Sequence, residues 1–356
     1  MLTYPKHLNF HYRVFMMNII QLHQTLSDFI RRSIQQRKSA PMHHLERGQD
    51  GRNQFWRYLV ITLVAFFGGQ LVGSIPLIAL AVNAQMHGGV VDAEMLTDPA
   101  RLGVSANTGL VLMLLPFMLS LLILIFMIRK MHGRSLPEVI NGTRRIRWGR
   151  VVYAAGLWAL MQLASFGISY AIEPGNFEFR FNAGTFFPLL LISIVLIPLQ
   201  TSFEELYFRG YVAQGIGAGT RNRWLAILIP GISFGLMHIM NPEIEAYGLL
   251  LTLPQYIIFG LLFGLIATLD DGIECCLGAH AVNNILASTV VTFKSSVFTT
   301  DALFEQQRLN PAMDLMWMSI MAVVFLFLLK QRYRWDFAVL NKRVEAAPQA
   351  SSGTQA

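Results

Sequence analysis

Long apolar runs, broken by short polar stretches, dominate the chain from about residue 58 to residue 329. Windows of about 19 residues pick out eight of them: 58–82, 109–128, 151–172, 186–206, 224–240, 248–269, 273–293 and 313–329. Each approaches the ~20 residues a helix needs to cross a bilayer. The pattern therefore predicts an all-α integral membrane protein built as a bundle of about eight transmembrane helices. Pro76, Pro116, Pro198 and Pro230 fall inside runs, which a bundle tolerates because neighbouring groups re-satisfy the freed backbone. No period of 20–50 residues recurs, which sets a repeat architecture aside.

Composition agrees with this pattern. Of the 356 residues 54% are hydrophobic and 14% charged, against about 25% charged in ordinary soluble domains. A water-soluble surface cannot be covered from that stock. Cys275 and Cys276 are the only cysteines, and they are adjacent, which excludes a disulfide framework or a Cys-rich zinc site.

The net charge of +7 is informative through its placement. Lys and Arg number nine in 1–57, seven in 129–150, three in 209–223 and five in 330–343. The intervening connectors hold Arg101, Arg180, Lys294 and Arg308. By the positive-inside rule this split puts both termini in the cytoplasm. Arg144, Arg145, Arg147 and Arg150 are expected against anionic headgroups, so lipids, and not nucleic acid, are the partners the charge implies. The chain divides into a basic N-terminal segment (1–57), an eight-span membrane domain (58–329) and a tail (330–356) that is basic and then disordered. Phe10, Val14, Met17 and Ile20 alternate with polar positions and predict an interfacial helix over 8–32. Residues 1–53 lack signal-peptide organisation.

Titratable groups at membrane depth are costly and are functional candidates by default. Of nine histidines, only His238 and His280 lie in apolar runs, and of 21 acidic residues only Glu204 and Glu205 lie within or just beneath one. On a helix, positions four apart share a face and adjacent ones diverge. Glu205 therefore faces Arg209 as an ion pair, and Glu204 turns elsewhere, free to enter the bundle. Phe234 shares a face with His238, and Asn284 with His280.

Two chemistries suit this set. Glu204 and His238 can activate a water as general base, with His280 and Asn284 holding an oxyanion. Alternatively Glu204, His238 and His280 form a His₂Glu set for one zinc ion with an open position. The residues leave zinc and a metal-free glutamate mechanism equally open. A lone histidine on an apolar helix is commonly a satisfied bundle residue, and a lone Glu–Arg pair structural. The convergence of four such groups in an uncharged core favours a site. HExxH and a phosphate-binding loop are absent.

The motifs carry a resemblance. Glu204-Glu205-Leu206-Tyr207-Phe208-Arg209 resembles the EExxxR motif of the CAAX protease and bacteriocin-processing (CPBP, or abortive-infection) family. Phe234 to His238 resembles its FxxxH motif, and His280 to Asn284 its HxxxN motif, in the family's order and within a catalytic core at 186–293. The resemblance implies an intramembrane endopeptidase, CAAX prenyl endopeptidase-like, acting on a membrane-associated protein or peptide. In that frame Glu204 and His238 activate water, His280 and Asn284 form the oxyanion site, and Glu205, Arg209 and Phe234 support them. The compact connectors predict a multi-pass protein of a bacterial inner membrane. The competing readings are an ion-coupled transporter, since buried Glu and His are expected there too, and a scaffold that does not cleave.

Strict hydropathy poses a difficulty. It puts Glu204 at the cytoplasmic end of the fourth span and His238 at the outer end of the fifth, about 25 Å apart by helical rise. The sequence is reconciled with shared chemistry if the fourth helix continues through Phe208 and Tyr211 to about residue 216, with Pro230-Gly231 or a tilt of the fifth helix supplying the rest.

Overall fold

The computed structural model describes residues 44–88, 100–142 and 145–345, all within one compact unit, His43–Ala356. The interfacial helix expected over 8–32 and the disordered tail beyond 345 lie outside the described residues. Helices form at all eight predicted places. Six are long and apolar enough to cross a membrane: α1 (Phe55–Met86), α2 (Ala106–His132), α3 (Trp148–Ile172), α4 (Ala183–Thr220), α6 (Leu249–Leu269) and α8 (Pro311–Tyr333). Exposed large apolar side chains, among them Leu71, Leu122, Phe126, Val152 and Leu160, cover their outward faces, as lipid contact requires and water forbids.

The other two predicted spans are shorter than the hydropathy windows. Helix α5 (Arg223–Leu236) has 14 residues and α7 (Glu274–Thr289) has 16. At 1.5 Å per residue they reach about 21 and 24 Å, less than the ~30 Å hydrocarbon core. The count of helices long enough to span is thus six among the described residues, not eight. The windows were lengthened by apolar connector residues such as Ile239 and Met240 after α5. The polar side chains His280, Asn283 and Asn284 lower the apolar character of α7.

Connectors gather at two ends of the bundle. At one end, three short strands form a sheet in the order β1 (Phe177–Phe179), β3 (Phe304–Gln306), β2 (Val291–Phe293), with β1–β3 antiparallel and β2–β3 parallel. Phe166 and Tyr170 pack against Phe177 and Phe304 of the sheet, and Tyr247 after α5 reaches Phe293. At the other end Arg147 pairs with Glu274 and Asp270, Arg150 pairs with Asp270, and Trp335 Nε1 donates to Asp270 at 2.8 Å. His44 N donates to Asp271 there, and Glu46 pairs with Arg223. Residues 44–54 and 335–345 thus fold onto the bundle; the basic segment at 1–57 ends in ordered structure, and α1 begins at Phe55 rather than 58.

Helices α5 and α6 cross closely near the predicted site. A Cβ on Gly260 would collide with the carbonyl oxygen of Gly231, and one on Gly235 with Ile257. Gly231 on α5 faces Gly260 on α6, while Gly235 meets Ile257 and Gly264 meets Ile227; small residues spaced by four on each helix let the two backbones touch. Trp158 of α3 is fully buried against Phe259 of α6 and Phe325 of α8 and ties the outer helices to that pair.

Candidate active site

Helix α4 runs unbroken past Glu204 to Thr220, four residues beyond the expected end. Arg209 consequently lies inside a helix and is 1% exposed, not in a connector. Thr220 is 16 residues after Glu204, and Arg223 is 15 before His238. By helical rise the two arms of the α4–α5 hairpin are about 24 and 22 Å long. The continuation of α4 thus removes the helix-length offset that gave the separation of about 25 Å.

The motif segment is itself unusual. From Leu206 to Val212 the helix widens to a π turn, a feature frequent at functional sites. Glu205 Oε1 accepts from Arg209 Nη1 at 2.8 Å, with both side chains buried. The Arg209 guanidinium lies 4.2 Å over the Phe234 ring and donates to the Gly260 carbonyl at 3.3 Å. That carbonyl is within reach because the α5–α6 crossing is tight.

His280 stands between the two glutamates. Its Nδ1 is 2.7 Å from Glu205 Oε1, and its Nε2 is 3.5 Å from Glu204 Oε2. The adjacent Glu204 and Glu205 side chains diverge along α4 and meet one imidazole from its two sides. Glu204 Oε2 is buried without a hydrogen-bond partner. Phe259 and Phe263 wall the His280 ring edge-on and tilted, so this carboxylate–imidazole set sits in an apolar shell.

His238 lies in the turn after α5, half-buried. Its Nδ1 is 2.8 Å from the Phe234 carbonyl, which only accepts, so Nδ1 carries the hydrogen and Nε2 the lone pair. Phe234 contacts both imidazoles, at 4.7 Å from His238 and 5.9 Å from His280. The structure does not bring His238 into hydrogen-bond contact with Glu204; the histidine facing Glu204 is His280. Asn284 Nδ2 donates to Gln200 Oε1 at 3.1 Å, and Asn284 Oδ1 accepts from Asn283. Gln200 is one turn before Glu204 and among the groups acting on its carboxylate.

A zinc ion does not fit this arrangement. The Nδ1 atoms of both histidines have oxygen partners, the kind of support that metal-bound histidines receive. However, no three His, Cys, Asp or Glu side chains among the described residues stand close enough to hold one ion. Glu204, His238 and His280 do not converge as the His₂Glu alternative requires.

Several site residues escape a filter based on charge in apolar runs. Gln200 and Asn283 are neutral. Trp158 Nε1 and Gln162 Nε2 both donate to Asn283 Oδ1 at 3.0 Å, fixing the amide that orients Asn284. Tyr256 stacks on His238 at 4.4 Å and 17°. His44 belongs to a polar segment, yet it is 1% exposed and its Nε2 is 3.0 Å from the Arg209 carbonyl; burial pushes it below its ordinary value. His132 is also buried, with Nε2 at 2.9 Å from the Tyr211 hydroxyl. The Asn-Asn pair at 283–284 and the paired Gly-x-x-x-Gly spacings are the sequence signals that point to this neighbourhood.

The structure is a helical bundle with six helices long and apolar enough to cross a membrane, enclosing a buried carboxylate–imidazole cluster. The chain belongs to the CAAX protease and bacteriocin-processing family: residues 183–286 match the family model described as type II CAAX prenyl endopeptidase Rce1-like. A Bacillus subtilis relative, uncharacterized protein YyaK, is 30% identical over 297 residues, covering 80% of this chain and 94% of the relative. No solved structure matches the chain.

Proposed function

We propose that the protein is an intramembrane endopeptidase that hydrolyses a peptide bond of a membrane-associated protein or peptide without a bound metal. The observation that carries this reading is the buried Glu204 carboxylate, with Oε2 unpartnered and facing an imidazole that Glu205 holds from behind. Glu204 takes a proton from the attacking water, and the Nε2 lone pair of His238 orients that water once the site closes around substrate; apo contacts commonly tighten in this way. The tetrahedral oxyanion receives hydrogen bonds from Nε2–H of a His280 that carries hydrogen on both ring nitrogens, Nδ1–H being used on Glu205, and from the second Asn284 Nδ2 hydrogen, the first being used on Gln200. Protonated Glu204 then delivers its proton to the leaving amine. Glu205 and Arg209 position His280, and Phe234 positions His238. Membership of a CAAX protease family and the match over 183–286 support the same reaction class.

The membrane reading extends to topology. Helices α5 and α7, though short, link the two ends where connectors gather, so we take all eight helices as crossing and both termini as cytoplasmic. The relative from Bacillus subtilis supports a bacterial cytoplasmic membrane.

The test is turnover of quenched membrane peptides by purified protein, per folded molecule, with metal analysis. Wild type should cleave and Glu204→Gln should not, at near wild-type thermal stability, since a carboxylate held for water activation is often a liability to stability. Asn284→Ala should lose about 10²–10³ in rate, the usual loss for one oxyanion donor. Wild-type cleavage by Glu204→Gln ends this reading. Stoichiometric zinc that disappears in His280→Ala together with all activity replaces the metal-free mechanism.

A further inference from the structure

We propose that Tyr256 is a positioning residue for His238, and that Asn241 and Glu243 anchor it from the connector between α5 and α6. The inference rests on the proteolytic role given to His238 above, but its geometry stands independently. The Tyr256 ring lies nearly parallel to the imidazole at 4.4 Å and 17°, while Phe234 leans on the same imidazole at 4.7 Å and 50°. Such aromatic contacts add to burial and leave a half-buried ring little freedom to tilt. With Nδ1 fixed on the Phe234 carbonyl, ring plane and tautomer are both set, and the Nε2 lone pair has one direction.

The hydroxyl end of Tyr256 is secured separately. Asn241 Nδ2 donates to it at 3.1 Å, and the hydroxyl donates to Glu243 Oε1. Glu243 is 7% exposed, and its Oε2 is buried without a hydrogen-bond partner. Burying polar groups without full compensation is unfavourable, so this buried carboxylate depends on the donors it has, the Tyr256 hydroxyl among them. That bond holds the tyrosine. The chain permits this because Pro242–Tyr247 forms one short helix and Gly248, at φ 93°, turns the backbone into α6. Residues 13 and 15 positions before Tyr256 thereby reach its hydroxyl. His238 follows a short helix and has no regular structure of its own to hold it; the connector and α6 supply that support.

The experiment uses the full chain in nanodiscs, with Tyr256→Leu and Tyr256→Phe. Two quantities are read: kcat and KM on a cleaved peptide, and the ¹⁵N spectrum of labelled histidines, with the His238 signals assigned by their loss in His238→Asn. Tyr256→Leu removes the stack and should lower kcat about tenfold or more with KM little changed, because small misplacements of catalytic groups carry such losses. Its His238 signals should move from a single Nδ1–H tautomer to a mixture. Tyr256→Phe keeps the stack, so it should keep the tautomer and lose only a few-fold in kcat. If Tyr256→Leu yields no folded protein, Tyr256→Met, closer in volume, replaces it under the same criteria. Unchanged kcat and an unchanged His238 tautomer in the folded stack-deleting variant overturn the proposal. If wild type cleaves no peptide, the proteolytic reading has failed, and the tautomer comparison alone decides whether Tyr256 fixes His238.

Discussion

At the scale of single residues, the two adjacent glutamates divide the work between holding and reacting. Glu205 is bonded twice, to Arg209 and to His280, and both partners are buried. Removing one member of a buried, hydrogen-bonded pair strands the other charge, typically at about 3–5 kcal/mol. Glu205→Ala and Arg209→Ala should therefore give low folded yields, read as thermal midpoint and detergent-stable fraction. The pair alone would predict activity that tracks folded yield. The His280 bond changes that for Glu205: the folded fraction of Glu205→Ala should also be slower per molecule, because His280 Nδ1 has lost its acceptor. Full stability in Glu205→Ala removes the ion-pair argument, and full activity per folded molecule removes the positioning argument. The identities of Glu204, His238 and His280 were legible in the sequence because a titratable side chain in an apolar run is conspicuous. Gln200 and Tyr256 were not, because neutral polar and aromatic residues are ordinary in membrane helices. His44 was hidden by distance, its partner Arg209 lying 165 positions away.

At the scale of elements, the site depends on two short helices delivered to the right depth by their neighbours. Hydropathy located α5 and α7 but overstated their lengths, since an averaging window cannot tell an apolar connector from a helix end. It also ended the fourth run at 206, inside the charged motif, although α4 continues through it. That continuation and the tight turn at 221–222 remove the offset that hydropathy put between Glu204 and His238. Lateral placement follows from the Gly231–Gly260 contact. Gly260→Ala puts a methyl group against the Gly231 carbonyl oxygen, and overpacking of this kind typically costs about 1–3 kcal/mol. Peptide cleavage should fall sharply while circular dichroism keeps its helical signal; cleavage equal to wild type would mean that the crossing does not set the site. The connector after α5 makes a separate prediction about pH. Burial pushes the Glu243 carboxyl above its ordinary 4.5, against the opposing pull of the Tyr256 hydrogen bond. A raised folded-state value means that the folded protein binds the proton more tightly than the unfolded chain. This group's contribution to stability is thus complete at or below pH 4.5 and declines as pH rises through the raised value. Glu243→Gln mimics the protonated form and should flatten the melting temperature over that window, matching or exceeding wild type at pH 8. A steeper decline in the variant contradicts the assigned direction.

At the scale of the whole molecule, charge and connectivity make independent statements about orientation. Charge alone places the segments rich in Lys and Arg in the cytoplasm, although Arg209, counted among them, is buried inside α4 and carries no topological weight. Contacts between connectors sort them into two ends without saying which end is cytoplasmic. The β1, β2 and β3 segments and Tyr247 meet at one end. His44, Glu46, Arg147, Arg150, Arg223, Asp270, Glu274 and Trp335 meet at the other. From α2 onward the two groups alternate along the chain, and the second coincides with the basic segments. Cysteine labelling tests the combined arrangement on intact cells. The native Cys275 and Cys276 are buried and should not react with an impermeant maleimide. Lys294→Cys, at the exposed end of the strand-bearing connector, should be labelled from outside the cell. Lys342→Cys, exposed beyond α8, should be labelled only after the membrane is opened. Reversal of both inverts the molecule and leaves the site intact. Labelling of both from the same side breaks the alternation, and α5 or α7 would then be an element that enters the membrane and returns.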